Sequence, residues 1–185
     1  MPEKGETVKN QRTGDCYEFI ETAEDTNGKY VTLKATIHSK GLLVPNHIHT
    51  LQDETFEVIS GELSVWMNGS TKIFSAGEKV TLPKSVPHNH FNNQDCPVVY
   101  IHTVSPALDF GYLIKTVVGL AADGKSKNGK NSLIQDLVTL KYIDSKTYRA
   151  DMPVGIQKTL AGIMAPIGRL LGYRAIYKKY SDIEK

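Results

Sequence analysis

The chain has 185 residues, of which 40% are hydrophobic and 23% charged, and its net charge is only +2. These values are typical of one globular domain, with or without an appendage, and they exclude a disordered or fibrous chain. The small net charge gives no indication of a nucleic-acid partner. The two cysteines lack a CxxC spacing, and neither a signal peptide nor a membrane span is visible, so we expect a cytoplasmic protein without disulfides.

The first 14 residues are polar and predict a flexible N-terminal segment. Residues 15–107 then show short runs in which apolar and polar residues alternate, which is the pattern of half-buried strands. The Asn68-Gly69 pair between two such runs indicates a tight hairpin. The predicted strands cover residues 30–38, 54–60, 61–74, 78–83, 88–92 and 97–104. This series of short strands at near-regular spacing predicts an antiparallel sandwich or barrel.

After Pro106 the period of the apolar residues changes from two to that of a helix. The predicted helices cover residues 108–124, 132–143 and 153–180. Pro153 lies in the first turn of the third helix, and Pro166 is expected to bend or break it. We therefore expect residues 108–185 to form a helical extension that packs on the barrel or on a partner subunit.

Three histidines and one glutamate on the predicted strands form a candidate metal site. His47 and His49 are two residues apart and should point to the same face of a strand, with Glu54 and His88 on neighbouring strands. Such side chains are costly to bury unpaired in an apolar interior, and a bound metal ion would relieve that cost. The alternative is a set of buried histidines that are satisfied by hydrogen bonds without a metal.

These four residues lie within two longer motifs. The first reads Gly-x5-His-x-His-x4-Glu-x6-Gly, and its fixed positions are Gly41, His47, His49, Glu54 and Gly61. The second is close to Gly-x5-Pro-x-Gly-x2-His-x3-Asn, and the residues at its fixed positions are Gly77, Pro83, Ser85, His88 and Asn92. Ser85 departs from the usual glycine, which concerns the geometry of a turn. With these motifs the chain resembles a cupin.

The resemblance implies a mainly β protein, a jelly-roll barrel (double-stranded β-helix) at residues 15–107. It also implies that His47, His49, Glu54 and His88 hold one divalent transition metal ion, with Fe, Mn, Ni and Zn all open. The segment from Pro166 to Ala175 is similar to the tail of bacterial single-barrel cupins with a C-terminal helical extension.

His90 should share the inward face of His88, and it is the first candidate for acid–base help or for a hydrogen bond that orients a ligand. The alternative for His90 is a place in the barrel wall. His102 and His38 fall outside both motifs, and we expect surface or hydrogen-bonded positions for them. The apolar face of the third helix predicts packing on the barrel or across a homodimer, with contact to a membrane surface as the alternative.

Four protein ligands leave one or two coordination positions open, which is typical of a catalytic metal. The function that we expect is therefore a metal-dependent enzyme, an oxidoreductase of the dioxygenase type, acting on a small oxygen-bearing organic molecule. The alternatives are a protein that binds or senses a small molecule without turnover, and a metal that only stabilises the barrel.

Overall fold

The structure is a computed structural model that describes residues 2–126 and 131–185. Met1 and residues 127–130, which belong to the predicted N-terminal segment and helical extension, lie outside the described residues. In chain order the strands are β1 (Thr7–Lys9), β2 (Cys16–Glu21), β3 (Val31–Ile37), β4 (Gly41–Leu42), β5 (His47–His49), β6 (Asp53–Ser60), β7 (Glu62–Met67), β8 (Ser70–Ser75), β9 (Lys79–Leu82), β10 (His88–Asn92), β11 (Val98–Ser105) and β12 (Thr147–Arg149).

These strands pair antiparallel in two sheets. The first sheet has the order β1-β2-β3-β11-β6-β9, and the second has the order β12-β5-β10-β7-β8, with β4 paired to β10. Alternate residues of each strand point between the sheets, as Leu33, Ala35 and Ile37 of β3 do, and they are fully buried there. The structure thus confirms the predicted jelly-roll barrel of mainly β character followed by helices.

The N-terminal segment contains a strand that the sequence does not predict. Residues 7–9 form β1 and pair with β2, and Val8 packs against an apolar cluster around Phe19. The backbone hydrogen bonds of β1 and the packing of Val8 attach residues 7–9 to the barrel. The polar composition of the segment gave no indication of this strand.

Three helices follow the barrel: α1 (Phe110–Ala122), α2 (Leu133–Tyr142) and α3 (Val154–Leu170). The hydroxyl oxygen of Ser132 accepts a hydrogen bond from the backbone N–H of Gln135 and so caps α2. Phe110 and Leu113 of α1 pack with Phe19 at one end of the barrel, while α2 packs along α3 through a second cluster that includes Leu137 and Ala161. Among the described residues, no helix has the length and apolar character needed to cross a bilayer.

The third helix differs from its prediction at two places. It continues through Pro166, because the carbonyl that loses its hydrogen-bond donor belongs to the exposed Gly162 and remains accessible to water. It ends at Leu170, ten residues before the predicted end, since Gly172 adopts a left-handed φ of 90°. The N–H of Tyr173 then donates to the carbonyl of Gly168 and closes the helix.

Between α2 and α3 the chain returns to the barrel as β12. This strand pairs antiparallel with β5, so that Thr147 lies opposite His49 and Arg149 opposite His47. The extension therefore contributes a strand to the second sheet, next to the strand that carries two of the candidate ligands. The division into an N-terminal segment, a barrel and an extension stays a prediction.

Candidate metal centre

The four predicted ligands come from both sheets of the barrel. His47 and His49 point inward from β5, with Ile48 between them on the other side of the strand. His88 opens β10 and lies directly across from His47 in the same sheet. Glu54 belongs to β6 in the facing sheet. A metal ion held by these residues would therefore link the two sheets.

The donor atoms of the four side chains converge. All of them lie within 4.8 Å of one another. The Glu54 Oε2 atom is 4.0 Å from Nε2 of His47, 3.6 Å from Nε2 of His49 and 2.8 Å from Nε2 of His88. The side chains are almost shielded from water, with exposed fractions of 7%, 2%, 1% and 0% for His47, His49, Glu54 and His88. Three imidazole nitrogens and one carboxylate oxygen could hold a divalent ion.

Backbone carbonyl groups fix the orientation of two of the histidine rings. Nδ1 of His47 lies 2.9 Å from the carbonyl of Pro45, and Nδ1 of His88 lies 2.8 Å from the carbonyl of Val86. A carbonyl can only accept a hydrogen bond, so each Nδ1 carries the proton and donates it. In the neutral form of either ring the lone pair is then on Nε2, which points into the cluster and is the atom that a metal needs.

Two buried polar atoms at the centre support the fit to a metal ion. Glu54 Oε2 and His88 Nε2 have no hydrogen-bond partner among the described residues, although they lie only 2.8 Å apart. Leaving such atoms unsatisfied costs about 1–3 kcal/mol each, and more for a charged group. A cation held between them would satisfy both atoms.

The charges of the cluster also favour a cation. Burial alone would raise the pKa of Glu54, but its neighbours His49 and His102 lower this pKa by more, and it lies well below the ordinary value. Burial lowers the pKa of His47, and it lowers the pKa of His49 to about 3. At neutral pH these two rings are neutral while the carboxylate is ionised, which is the protonation state that metal binding requires.

His102 is a residue of this site that sequence reasoning did not place there. It lies on β11 opposite Phe56, it is buried, and its Nε2 lies 2.8 Å from Oε1 of Glu54. The Glu54 carboxylate therefore accepts a hydrogen bond on one oxygen and offers the other to the cluster. The alternation of β11 contained the signal, since His102 has the same parity as the buried Tyr100 and Val104.

His90 lies on β10 two residues beyond His88 and is half-buried. Its ring centre is 4.3 Å from that of Phe56 and 5.6 Å from that of His102. Burial, and then the neighbouring His102, lower the pKa of His90 to about 3, so its ring is neutral. His90 Nδ1 is buried without a partner among the described residues. His38, in contrast, is exposed.

The helical extension covers the cluster from outside the barrel. The ring of Phe110, at the start of α1, lies edge-on to the rings of His49 and His102, with centres 6.3 Å and 5.5 Å away. Thr147 of β12 lies next to the other edge of His49, with Oγ1 3.3 Å from Nδ1. The site is therefore assembled from the barrel and the extension together.

Comparison with known proteins identifies one domain within this chain. The family model described as "Cupin domain" matches residues 34–104, which include all four candidate ligands. A search of curated proteins gives no match. The structure is similar to KdgF from Halomonas sp., with 16% identity, 53% of this chain and 84% of that chain covered, and a TM-score of 0.46.

Two further solved structures show the same degree of similarity. A conserved protein with a double-stranded β-helix domain from Klebsiella pneumoniae has 20% identity over 58% of this chain and 83% of that chain, with a TM-score of 0.42. Streptomyces PAC13 with uridine has 15% identity over 56% of this chain and 77% of that chain, with a TM-score of 0.45. The family match identifies residues 34–104 as a cupin domain, and these residues lie in the two-sheet barrel.

Proposed function

We propose that the chain is a metal-dependent enzyme, an oxygenase-type oxidoreductase that acts on a small oxygen-bearing organic molecule. The observation that carries this proposal is the convergence of three imidazole Nε2 atoms on the unpartnered Oε2 of Glu54 in a buried cluster. Four protein ligands leave one or two coordination positions open, which distinguishes a catalytic metal site from a structural one. The metal is Fe, Mn, Ni or Zn.

The residues of the chain prepare this site in separate ways. His47, His49, Glu54 and His88 hold the ion, which when bound supplies Lewis acidity and, as iron or manganese, redox chemistry. The Phe110 ring and the burial of the ligands keep bulk water out, which strengthens the electrostatic interactions inside. A small substrate is favoured because the extension closes over the cluster.

We assign to His90 a hydrogen-bonding role beside the ligands rather than proton transfer. An efficient general base has a pKa near the working pH, whereas that of His90 is about 3. Its Nδ1 has no partner in the part of the chain that the structure describes, and it can accept a hydrogen bond from a hydroxyl group or a water molecule. Replacing His90 should leave metal binding intact. If turnover were also unchanged in this variant, His90 would have a packing role only.

The proposal is tested by oxygen uptake. The protein is loaded with Fe²⁺ under anaerobic conditions and mixed with oxygenated buffer and a panel of hydroxy acids, diketones and phenols. We expect oxygen consumption that depends on one substrate class, is lost in Glu54→Gln and is retained in Glu57→Gln. Glu57 is the matched control because it lies on the same strand but faces outward.

Two results would contradict the proposed enzymatic function. Saturable binding of a panel compound to the metal-loaded protein without oxygen uptake or chemical change would establish the binding or sensing alternative. If Glu54→Gln consumed oxygen at the same rate as the unmodified chain, the metal cluster would have no part in the reaction.

We also propose that two copies of this chain associate through α3. Its exposed face carries five large aliphatic side chains with exposed fractions from 45% to 88%: Ile156, Ile163, Ile167, Leu170 and Leu171. An apolar stripe of this kind marks an interaction surface. The basic residues beside it are engaged within the chain, since Lys158 and Arg169 lie over the rings of Tyr148 and Tyr142. This favours a second copy over an anionic membrane surface, which needs free cationic groups.

Light scattering after size-exclusion chromatography tests the association. We expect a dimer for the unmodified chain and a monomer for Ile163→Lys, while Leu133→Lys, a change at an exposed leucine of α2, stays dimeric. A monomer at all concentrations, or binding of the chain to phosphatidylserine vesicles that Ile163→Lys abolishes, would contradict the dimer.

The free thiols of Cys16 and Cys96 support a reducing compartment, and we place the protein in the cytoplasm.

A further inference from the structure

The three ligand histidines differ in where their Nδ1 partner comes from. His47 and His88 each use the carbonyl of the residue two positions earlier, within the same barrel segment. Nδ1 of His49 instead faces the hydroxyl of Thr147, which is 98 residues away in the chain. Thr147 lies outside residues 34–104, the part of the chain that matches the cupin family. One ligand of the candidate site is thus oriented by the helical extension.

The position of Thr147 is held from both sides. On the barrel side, β12 pairs with β5 and the N–H of Ala150 donates to the carbonyl of Asn46 at 2.9 Å. On the helix side, the buried side chain of Gln157 in α3 makes two hydrogen bonds with the backbone of Arg149. The Arg149 N–H donates to Gln157 Oε1, and Gln157 Nε2 donates to the Arg149 carbonyl, each at 2.9 Å. A strand fixed in this way holds the Thr147 hydroxyl at a defined place beside the His49 ring.

The hydrogen-bond pattern favours a proton on Nδ1 of His49. A hydroxyl has one proton to donate, and Thr147 Oγ1 donates it to the carbonyl of Ser145 at 3.3 Å. With this proton on the Ser145 side, the lone pairs of Oγ1 face His49, which favours a proton on Nδ1 in the 3.3 Å contact. The lone pair of the neutral ring is then on Nε2, which faces Glu54 Oε2.

We propose that Thr147 is a positioning residue of the metal centre, which keeps His49 in the tautomer and orientation that present Nε2 to the ion. This inference rests on the proposed metal centre, and it makes the extension a functional part of the site. Partners that orient metal-bound histidines commonly change metal affinity by roughly 10-fold to 100-fold when they are removed.

The test compares Thr147→Val, which keeps the shape but removes the hydroxyl, with Thr147→Ser, which keeps the hydroxyl. The matched control is Thr139→Val in α2, where a half-buried hydroxyl that accepts from Gln135 is removed at a site outside the metal cluster. Two quantities are measured: the Co²⁺ dissociation constant, with the visible Co²⁺ spectrum, and the His49 tautomer in metal-free protein from its ring ¹⁵N chemical shifts.

For Thr147→Val we expect Co²⁺ binding weakened by roughly 10-fold or more, a changed Co²⁺ spectrum, and loss of the Nδ1–H tautomer. Thr147→Ser and Thr139→Val should match the unmodified chain in all three. Equal Co²⁺ affinities together with an unchanged His49 tautomer in Thr147→Val would overturn the inference. If the unmodified chain binds no Co²⁺, the proposed metal function fails, while the tautomer measurement still decides whether Thr147 orients His49.

Discussion

The two carboxylate oxygens of Glu54 have different neighbours and different roles. Oε1 accepts a hydrogen bond from His102, which holds the side chain in place, and Oε2 faces the three ligand imidazoles. The hydrogen bond to Oε1 favours the ionised form of this almost fully buried carboxylate, and a bound cation would favour it further at Oε2. One residue thereby connects the first sheet with the ligands of the second.

Among the single residues, His90 should make the protein sensitive to acid. Its pKa is about 3 in the folded chain because of burial, against an ordinary value of 6.5. Between these values the unfolded chain binds a proton that the folded chain does not, so stability falls as the pH falls. The slope from one such group approaches about 1.4 kcal/mol per pH unit. We expect His90→Phe to show a shallower loss of unfolding free energy between pH 6.5 and pH 4.

Urea unfolding at several pH values, with a chelator present throughout, measures this slope. The matched control is His38→Phe, since His38 is exposed to solvent in the folded chain as it is in the unfolded one. Identical pH slopes for His90→Phe and the unmodified chain would mean that His90 takes up its proton in the folded chain as it does in the unfolded chain, which contradicts a neutral ring at this half-buried position.

The sequence predicts the four candidate ligands because their spacing is local. His47 and His49 share one strand, and each motif spans no more than 21 residues, so strand alternation places the side chains. Ser85, the departure from the second motif, keeps the geometry of the usual glycine with a φ of 65°. The contact between Thr147 and His49 spans 98 residues, and no local pattern contains information about such a pairing.

Of the packed elements, α2 and α3 approach each other closely at a glycine. A Cβ atom on Gly168 would lie 2.5 Å from Cγ2 of Val138, which is fully buried and branched at Cβ. On the exposed side of the same helix, a Cβ on Gly162 would meet nothing within 4 Å. The two glycines therefore differ in packing while sharing one helix.

Alanine at each glycine should have opposite effects on stability. We expect Gly168→Ala to lower the unfolding free energy by about 1–3 kcal/mol through overpacking. We expect Gly162→Ala to raise it by about 0.5–1 kcal/mol, because alanine favours the helix without a clash. Chemical denaturation of both variants measures the difference, and equal effects of the two substitutions would contradict the close packing of α2 on α3.

The elements that the sequence predicts well are those with a strong period. Strand β3, the strands from β6 to β11 and the existence of all three helices follow from alternation and from helical spacing, whereas β2, β4 and β5 have no separate predicted run. The end of α3 depends on one residue, Gly172, and the apolar residues beyond it belong to a segment that folds back on Lys185. The strand β12 has three residues, which is too short for a period to appear.

Across the molecule, a metal ion would act as a link between the two sheets and the extension. Glu54 comes from the first sheet, the histidines come from the second, and β12 joins the second sheet beside His49. Binding to the folded chain alone adds stability by mass action, about 2.7 kcal/mol at about 100 times the dissociation constant. Metal removal should therefore lower the melting temperature, and an unchanged temperature would contradict this link.

Binding of one metal ion by His47, His49, Glu54 and His88 underlies both the proposed function and the link between the sheets. Elemental analysis of the protein after metal loading and gel filtration measures this binding. We expect about one ion per chain in the unmodified protein and in Glu57→Gln, and almost none in Glu54→Gln or His88→Ala that remain folded by circular dichroism. A folded, unmodified chain that retains no metal, or one whose metal content is unaffected by both ligand substitutions, would contradict a metal centre at these residues.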